Sequence, residues 1–259
     1  MRSRPSWRFD PDELGVLATM LRLSQWPFPF SVRSTAAMRD EQRARAHAAA
    51  QRLSAGGLLR GDRVEPDLEN AVLTLVRPRW SIDAYGFHGD APASLVRVLG
   101  ACSGPAAVVG VQAPGTDEHV GGAIDLRVVV PSEVCAAVVH ALPRVAPGRE
   151  AAVRVPAAGL RSRPVDAVTW SAQPSRDELD RARLARLTAE PCAGAGQVGM
   201  TASTAQGPPL RRCTLRWIDR PHDGRYLLSG QGEVAVRPAD ADVLTTALAA
   251  ELQLVLARR

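Results

Sequence analysis

The residues best suited to chemistry lie in one short run, Gly194-Ala195-Gly196-Gln197-Val198-Gly199, which spells G-x-G-x-x-G and is followed by Asp219. In a dinucleotide site such glycines bring backbone amides at a helix start against a pyrophosphate, and the later acid binds a ribose hydroxyl. That chemistry needs a buried strand before the run and a helix after it. Here a helical pattern and Pro191 come before, and Met200 to Pro209 has no helical periodicity. The run reads instead as a glycine-rich turn entering a strand, and no cofactor is expected. Phe87-His88-Gly89-Asp90 sets an imidazole near a carboxylate. General acid–base work also needs a third group and a pocket, so His88 reads as a turn residue.

Other catalytic signatures are missing. All 32 basic residues are arginine, which excludes the lysine of a phosphate-binding P-loop, and no G-x-S-x-G elbow occurs. Cys102, Cys135, Cys192 and Cys213 form no C-x-x-C pair, and His47, His88, His119, His140 and His222 form no H-x-x-x-H. A tetrahedral metal site needs such close ligand pairs, so no metal is expected and the thiols read as reduced and structural. Trp7, Trp26, Trp80, Trp170 and Trp217 are spread along the chain, as core or interface anchors rather than a stacking platform. No enzyme emerges.

These residues must be positioned by a chain of 259 residues, 46% hydrophobic and 23% charged, which is ample for a buried core. The net charge of +5 raises a nucleic-acid surface as the alternative function. Arginines interleaved with acids, as in Arg176-Asp177-Glu178-Leu179-Asp180-Arg181, favour a solvated, composition-driven pattern. No apolar run is long enough to cross a membrane and the N-terminus is not a signal peptide, so a cytoplasmic protein without membrane insertion is expected.

Asp10-Pro11-Asp12-Glu13 predicts a capped helix with Leu14, Leu17 and Leu21 on one face. Trp26-Pro27-Phe28-Pro29-Phe30 forbids its continuation. Helices are predicted over 37–54, ending at Gly56-Gly57, and over 66–76. Trp80, Ile82, Ala84 and Tyr85 read as a strand. Ala106–Gln112 and Ala123–Val130 form a hairpin around the polar loop Pro114–Gly122, and Pro131-Ser132-Glu133 opens an apolar helix. After a proline-rich stretch come a helix from Ser175, strands at 197–202, 212–219, 224–229 and 233–236, and a last helix over 241–256. The order strand, proline, acidic cap, apolar helix at Ile124–Leu142 recurs at Val234–Leu252. The fold class is therefore α+β: a central, mostly antiparallel sheet flanked by helices. It is expected as a single domain of two similar halves, roughly 1–142 and 165–259, in a pseudo-two-fold arrangement joined by the crossover 143–164.

The chain carries in order the Phe9-Asp10 helix start, Trp26-Pro27-Phe28-Pro29, an Arg-rich helix ending Gly57-Leu58-Leu59, Val64-Glu65-Pro66 and Leu75-Val76-Arg77-Pro78. Gly196-Gln197-Val198-Gly199, Asp219, Gly224-Arg225-Tyr226 and Val236-Arg237-Pro238-Ala239-Asp240 follow. In this order and spacing the features resemble the EspG family, which 86–105 and 143–170 fit weakly. The resemblance implies a cytosolic chaperone of type VII secretion that binds PE–PPE-like helical heterodimers at an apolar tip and keeps them soluble. It implies no nucleic-acid partner, while a weak homodimer stays open. The contact elements expected on this reading are the loop Pro114, Thr116, Asp117, Glu118, His119 and Val120, sheet residues near Trp217, and the exposed flank of the Leu244 and Leu248 helix.

Overall fold

The N-terminal segment does two jobs in a few residues. Ser6–Phe9 forms β1, and Asp10 then caps α1, Pro11–Met20. The Asp10 carboxylate accepts from the Glu13 amide at 2.8 Å, and the Glu13 carboxylate accepts from the Asp10 amide at 3.0 Å. Leu14 and Leu17 are driven inward by this registration. In this computed structural model residues 4–33, 38–89, 94–115, 120–157, 175–189, 191–204, 208–230 and 232–257 are described.

Helix α2 spans Arg39–Ala55, a small hairpin pairs β2 (Leu59–Arg60) with β3 (Arg63–Val64), and α3 spans Pro66–Val76. Four strands then run as a meander: β4 Trp80–His88, β5 Leu95–Ser103, β6 Ala106–Gln112 and β7 Ile124–Val129. A 3-10 turn at Pro131–Glu133 leads into α4, Val134–His140. Strand β8 (Val153–Pro156) and α5 (Arg176–Thr188) come before a second meander, β9 Gly194–Ala202, β10 Leu210–Arg220, β11 Gly224–Ser229 and β12 Glu233–Pro238. Helix α6, Ala241–Leu256, follows.

The two meanders join at β4 and β9 to make one ten-stranded sheet, β1-β7-β6-β5-β4-β9-β10-β11-β12-β8, with every neighbouring pair antiparallel. The order reads alike from either edge: each half is four consecutive strands closed by an earlier one, β1 or β8.

Helices α4 and α6 lie on one face and bury a continuous core there, including Ile82, Ala84, Val98, Val138, Met200, Leu215, Trp217, Leu244 and Leu248. The other face is covered in two separate places. Helices α1 to α3 cover the side of β5 to β7, burying Leu17, Leu68, Leu75, Leu99 and Leu126. Helix α5 covers the far side, where Leu184 and Leu187 meet Val153, Val155, Tyr226 and Val236.

Strands β5 and β9 differ from the sequence expectation in instructive ways. Strand β5 is buried on both faces, Val96 and Val98 toward α4 and Leu99 and Ala101 toward α3, so it carries no apolar–polar alternation to announce it. Strand β9 begins at Gly194, which places the glycine run inside the sheet instead of in a turn.

The α5 cluster contains a phenol with a measurable signature. The Tyr226 hydroxyl donates to Asp223 at 2.6 Å and accepts from the Glu150 amide at 2.9 Å. Burial, reinforced by the Asp223 carboxylate, pushes its pKa up to about 12. The unfolded phenol ionises near pH 10. The neutral group therefore stabilises the fold fully below pH ~10, and this contribution is lost as pH rises through about 12. In an ultraviolet titration one of the two tyrosines should ionise only near pH 12, and Tyr226→Phe should remove that late step. A step near pH 10 that Tyr226→Phe removes would contradict it.

Candidate partner-binding face

Between the area covered by α1 to α3 and that covered by α5, the middle strands present one face without a packed helix among the described residues. In an antiparallel sheet, paired residues share a face, so the register can be followed from strand to strand. One row runs Phe9, Ile124, Gln112, Arg97, Tyr85, Gln197, Arg216, Leu228, Val236, Val153. Its two ends are apolar and lie beneath helices. Its five central members are polar, and they pass from buried Gln112 and Arg97 through half-buried Tyr85 and Gln197 to exposed Arg216. The neighbouring row carries Phe87, Ala195 and Ile218, all partly or largely exposed.

Over this strip leans the segment that the prolines force out of helix α1. Phe30 turns inward at 8% exposure, while Phe28 stays 50% exposed. The Phe28 ring lies 5.6 Å from that of Tyr85, and the Arg211 guanidinium stands 5.4 Å from its centroid. Arg211 reaches across β9 to grip Asp83 with two bonds of 2.7 and 2.9 Å, and also donates to Thr201 at 3.2 Å. The result is an aromatic and guanidinium surface, held by a buried carboxylate.

The glycines of β9 are explained by what lies over them. A Cβ on Gly199 would sit 2.8 Å from both Asp83 Oδ2 and Arg211 Nη2. One on Gly196 would enter the Trp217 indole, and one on Gly194 would meet Asp219 Oδ2 at 2.8 Å and His88 Nδ1 at 2.9 Å. The run is a strand made slim enough for side chains of β4 and β10 to cross it.

His88 lies at the end of the opposite face, its Nδ1 3.2 Å from Asp219 Oδ2. Asp219 is already held by Arg225 through bonds of 2.6 and 2.8 Å, with both side chains buried. The imidazole thus borders a neutralised ion pair. No group of three His, Cys, Asp or Glu suited to a metal occurs among the described residues, and none of the described helices is long and apolar enough to cross a membrane.

The residues expected from sequence are divided by the fold. Trp217, Leu244 and Leu248 come together, but inside the core under α4 and α6, at 2, 4 and 1% exposure. The large exposed apolar side chain on that helix is Leu254. Pro114 and Val120 stand at the two ends of the β6–β7 connection, while Thr116, Asp117, Glu118 and His119 lie outside the described residues. Phe28, Tyr85, Phe87, Gln197, Arg211 and Arg216 were not anticipated. Trp26-Pro27-Phe28-Pro29-Phe30 was the available signal, since its prolines bar helix and hold large aromatic side chains in a connecting segment.

Sixteen chains of solved structures match this fold. One is the type VII secretion chaperone EspG5 of Mycobacterium tuberculosis, solved in complex with a PE25–PPE41 dimer, at a TM-score of 0.66, 14% identity and 95% coverage of both chains. A search of curated proteins gives no significant match. The EspG family profile matches residues 10–250, and the chain belongs to the EspG family.

Proposed function

We propose that this chain is a cytosolic, non-catalytic chaperone of a type VII secretion system, which binds PE–PPE-like helical heterodimers and covers an apolar helical tip until delivery. Family membership supports the class of function. The kind of client follows from the solved relative, an EspG5 held with a PE–PPE dimer. What supports a contact on the open sheet face is its strip, where Phe28 is 50% and Phe87 37% exposed beside Tyr85, Arg211 and Arg216. Exposed aromatic rings with arginine neighbours are the composition of interface hot spots. The strip takes residues from both meanders, so the chain acts as one unit, its halves 1–142 and 165–259 joined through 143–164. The Pro114–Val120 connection is proposed as a second contact.

A nucleic-acid surface is the other reading of the positive charge. Against it, many arginines are already engaged: Arg4 with Glu133, Arg8 with Asp125, Arg52 with Asp10 and Glu13, and Arg186 with Glu150.

The test is co-expression with the PE–PPE pairs of the same genome, followed by size-exclusion chromatography. A co-eluting complex is expected, and Phe87→Arg should weaken it by more than ~30-fold without altering the fold, as befits a hot-spot residue. Failure to bind any pair, with retention of nucleic acid that is lost as salt rises, would reverse the assignment.

A further inference from the structure

The side chain of Gln112 is buried at 2% exposure, at the last position of β6, and among the described residues its side-chain hydrogen bonds go to backbone outside its own strand. Its Oε1 accepts from the Ser31 amide at 2.8 Å. Its Nε2 donates to the Ser31 carbonyl at 2.9 Å and to the Gly122 carbonyl at 3.2 Å. The Gly121 amide donates to the same Ser31 carbonyl at 3.1 Å. One carboxamide therefore ties three segments together: the end of β6, the base of the β6–β7 connection and the Phe28–Ser31 arm. The arm has a second anchor one residue away, where Phe30 fills the space left by the missing side chain of Gly110. Beyond these anchors Phe28 projects onto Tyr85 and Arg211.

We infer that Gln112 is a positioning residue for partner binding: it touches no partner itself, but its carboxamide holds the Phe28 arm over the open sheet face and fixes the adjoining connection at the same point. The inference rests on the functional reading above. Its physical basis is that an exposed ring contributes to binding in proportion to how little it must be ordered at the moment of contact. A buried carboxamide held by three bonds is a stiff support, since moving it means giving up hydrogen bonds inside the protein, where an unmade bond is costly.

Two variants attack the knot from opposite sides. Gln112→Met keeps length and removes every bond. Gly121→Ala leaves β6 intact but places a Cβ within the Gln112 carboxamide. Each should lower affinity for a purified PE–PPE pair about tenfold, the same loss expected of Phe28→Ala. The double variant Gln112→Met/Phe28→Ala should bind no worse than either single one, because both changes remove the same pre-ordered contact. Losses that multiply to about a hundredfold, or unchanged affinity in a folded variant, overturn the inference. Amide hydrogen exchange at Ser31 and Gly121 gives a readout without the client. It should accelerate at least ~10-fold in Gln112→Met while β5 and β9 amides stay protected, and unchanged exchange overturns the inference independently. If the unaltered chain binds no PE–PPE pair, the functional reading falls, and exchange alone decides whether Gln112 holds the arm.

Discussion

Gly196→Val should be severely destabilised and melt far below the parent chain. The new side chain would occupy the space of the Trp217 indole, and its Cβ would also stand 2.7 Å from the Tyr85 carbonyl oxygen. Trp217 cannot yield, because the same ring lies over Gly86 and is packed at 2% exposure under α6. Overpacking a well-filled core costs about 1–3 kcal/mol, and a collision with backbone raises that figure. Set against a typical domain stability of ~5–15 kcal/mol, a cost of about 4 kcal/mol or more is expected. Thermal unfolding followed by circular dichroism is the measurement. Gly232→Val, where no atom lies within 4 Å of the added Cβ, is the control and should melt with the parent. A Gly196→Val protein melting beside that control would show that the indole does not occupy this position.

The second large effect is expected at Asp219. Asp219→Ala strands the Arg225 guanidinium in the interior, with a side chain 4% exposed and the Trp217 ring 5.9 Å away as its remaining neighbour of note. Removing one member of a buried pair costs about 3–5 kcal/mol, since the survivor keeps its desolvation penalty and loses its counter-charge. Replacing both, as Asp219→Leu with Arg225→Met, should recover at least half of that loss, because the pair as a whole contributes far less than either member's removal suggests. Urea unfolding of the single and double variants decides this. A double variant no more stable than the single would mean that the pair does more than neutralise itself.

Both effects bear on what could be read from sequence. Helices were legible where local chemistry sets their ends: Asp10 with Glu13, Ser175 with Glu178, Pro66 after the Glu65 cap and Asp240 before α6. Strands with polar turns between them were legible too, as in β6 and β7. Strand β5 was not, because its two buried faces erase the alternation that marks a strand. Strand β1 was missed because four residues, Ser6 to Phe9, hold too short a pattern, and they form a strand only once β7 is beside them.

The candidate face was hidden for a different reason. Asp83 and Arg211 are far apart in sequence and meet only because β9 lies between β4 and β10 with a glycine at the crossing. Tyr85, Gln197 and Arg216 stand on three strands and become neighbours through pairing register alone. Sequence periodicity says which residues share one strand's face, but not which strands are adjacent. Trp217, Leu244 and Leu248 were expected at a partner contact, but the fold buries them in the core, where large apolar side chains gather.

The junction at β4 and β9 has a consequence for synthesis. Strands β4 to β7 follow one another directly and can pair by short-range closure while the rest of the chain is still being made. Their inner border, Trp80–His88, then remains an open strand edge until Gly194–Ala202 leaves the ribosome. During that interval the nascent half exposes a row of unpaired amides and carbonyls flanked by apolar residues. The β9 of another copy offers the same register, so exchange of halves between crowded nascent chains is the assembly error this topology invites.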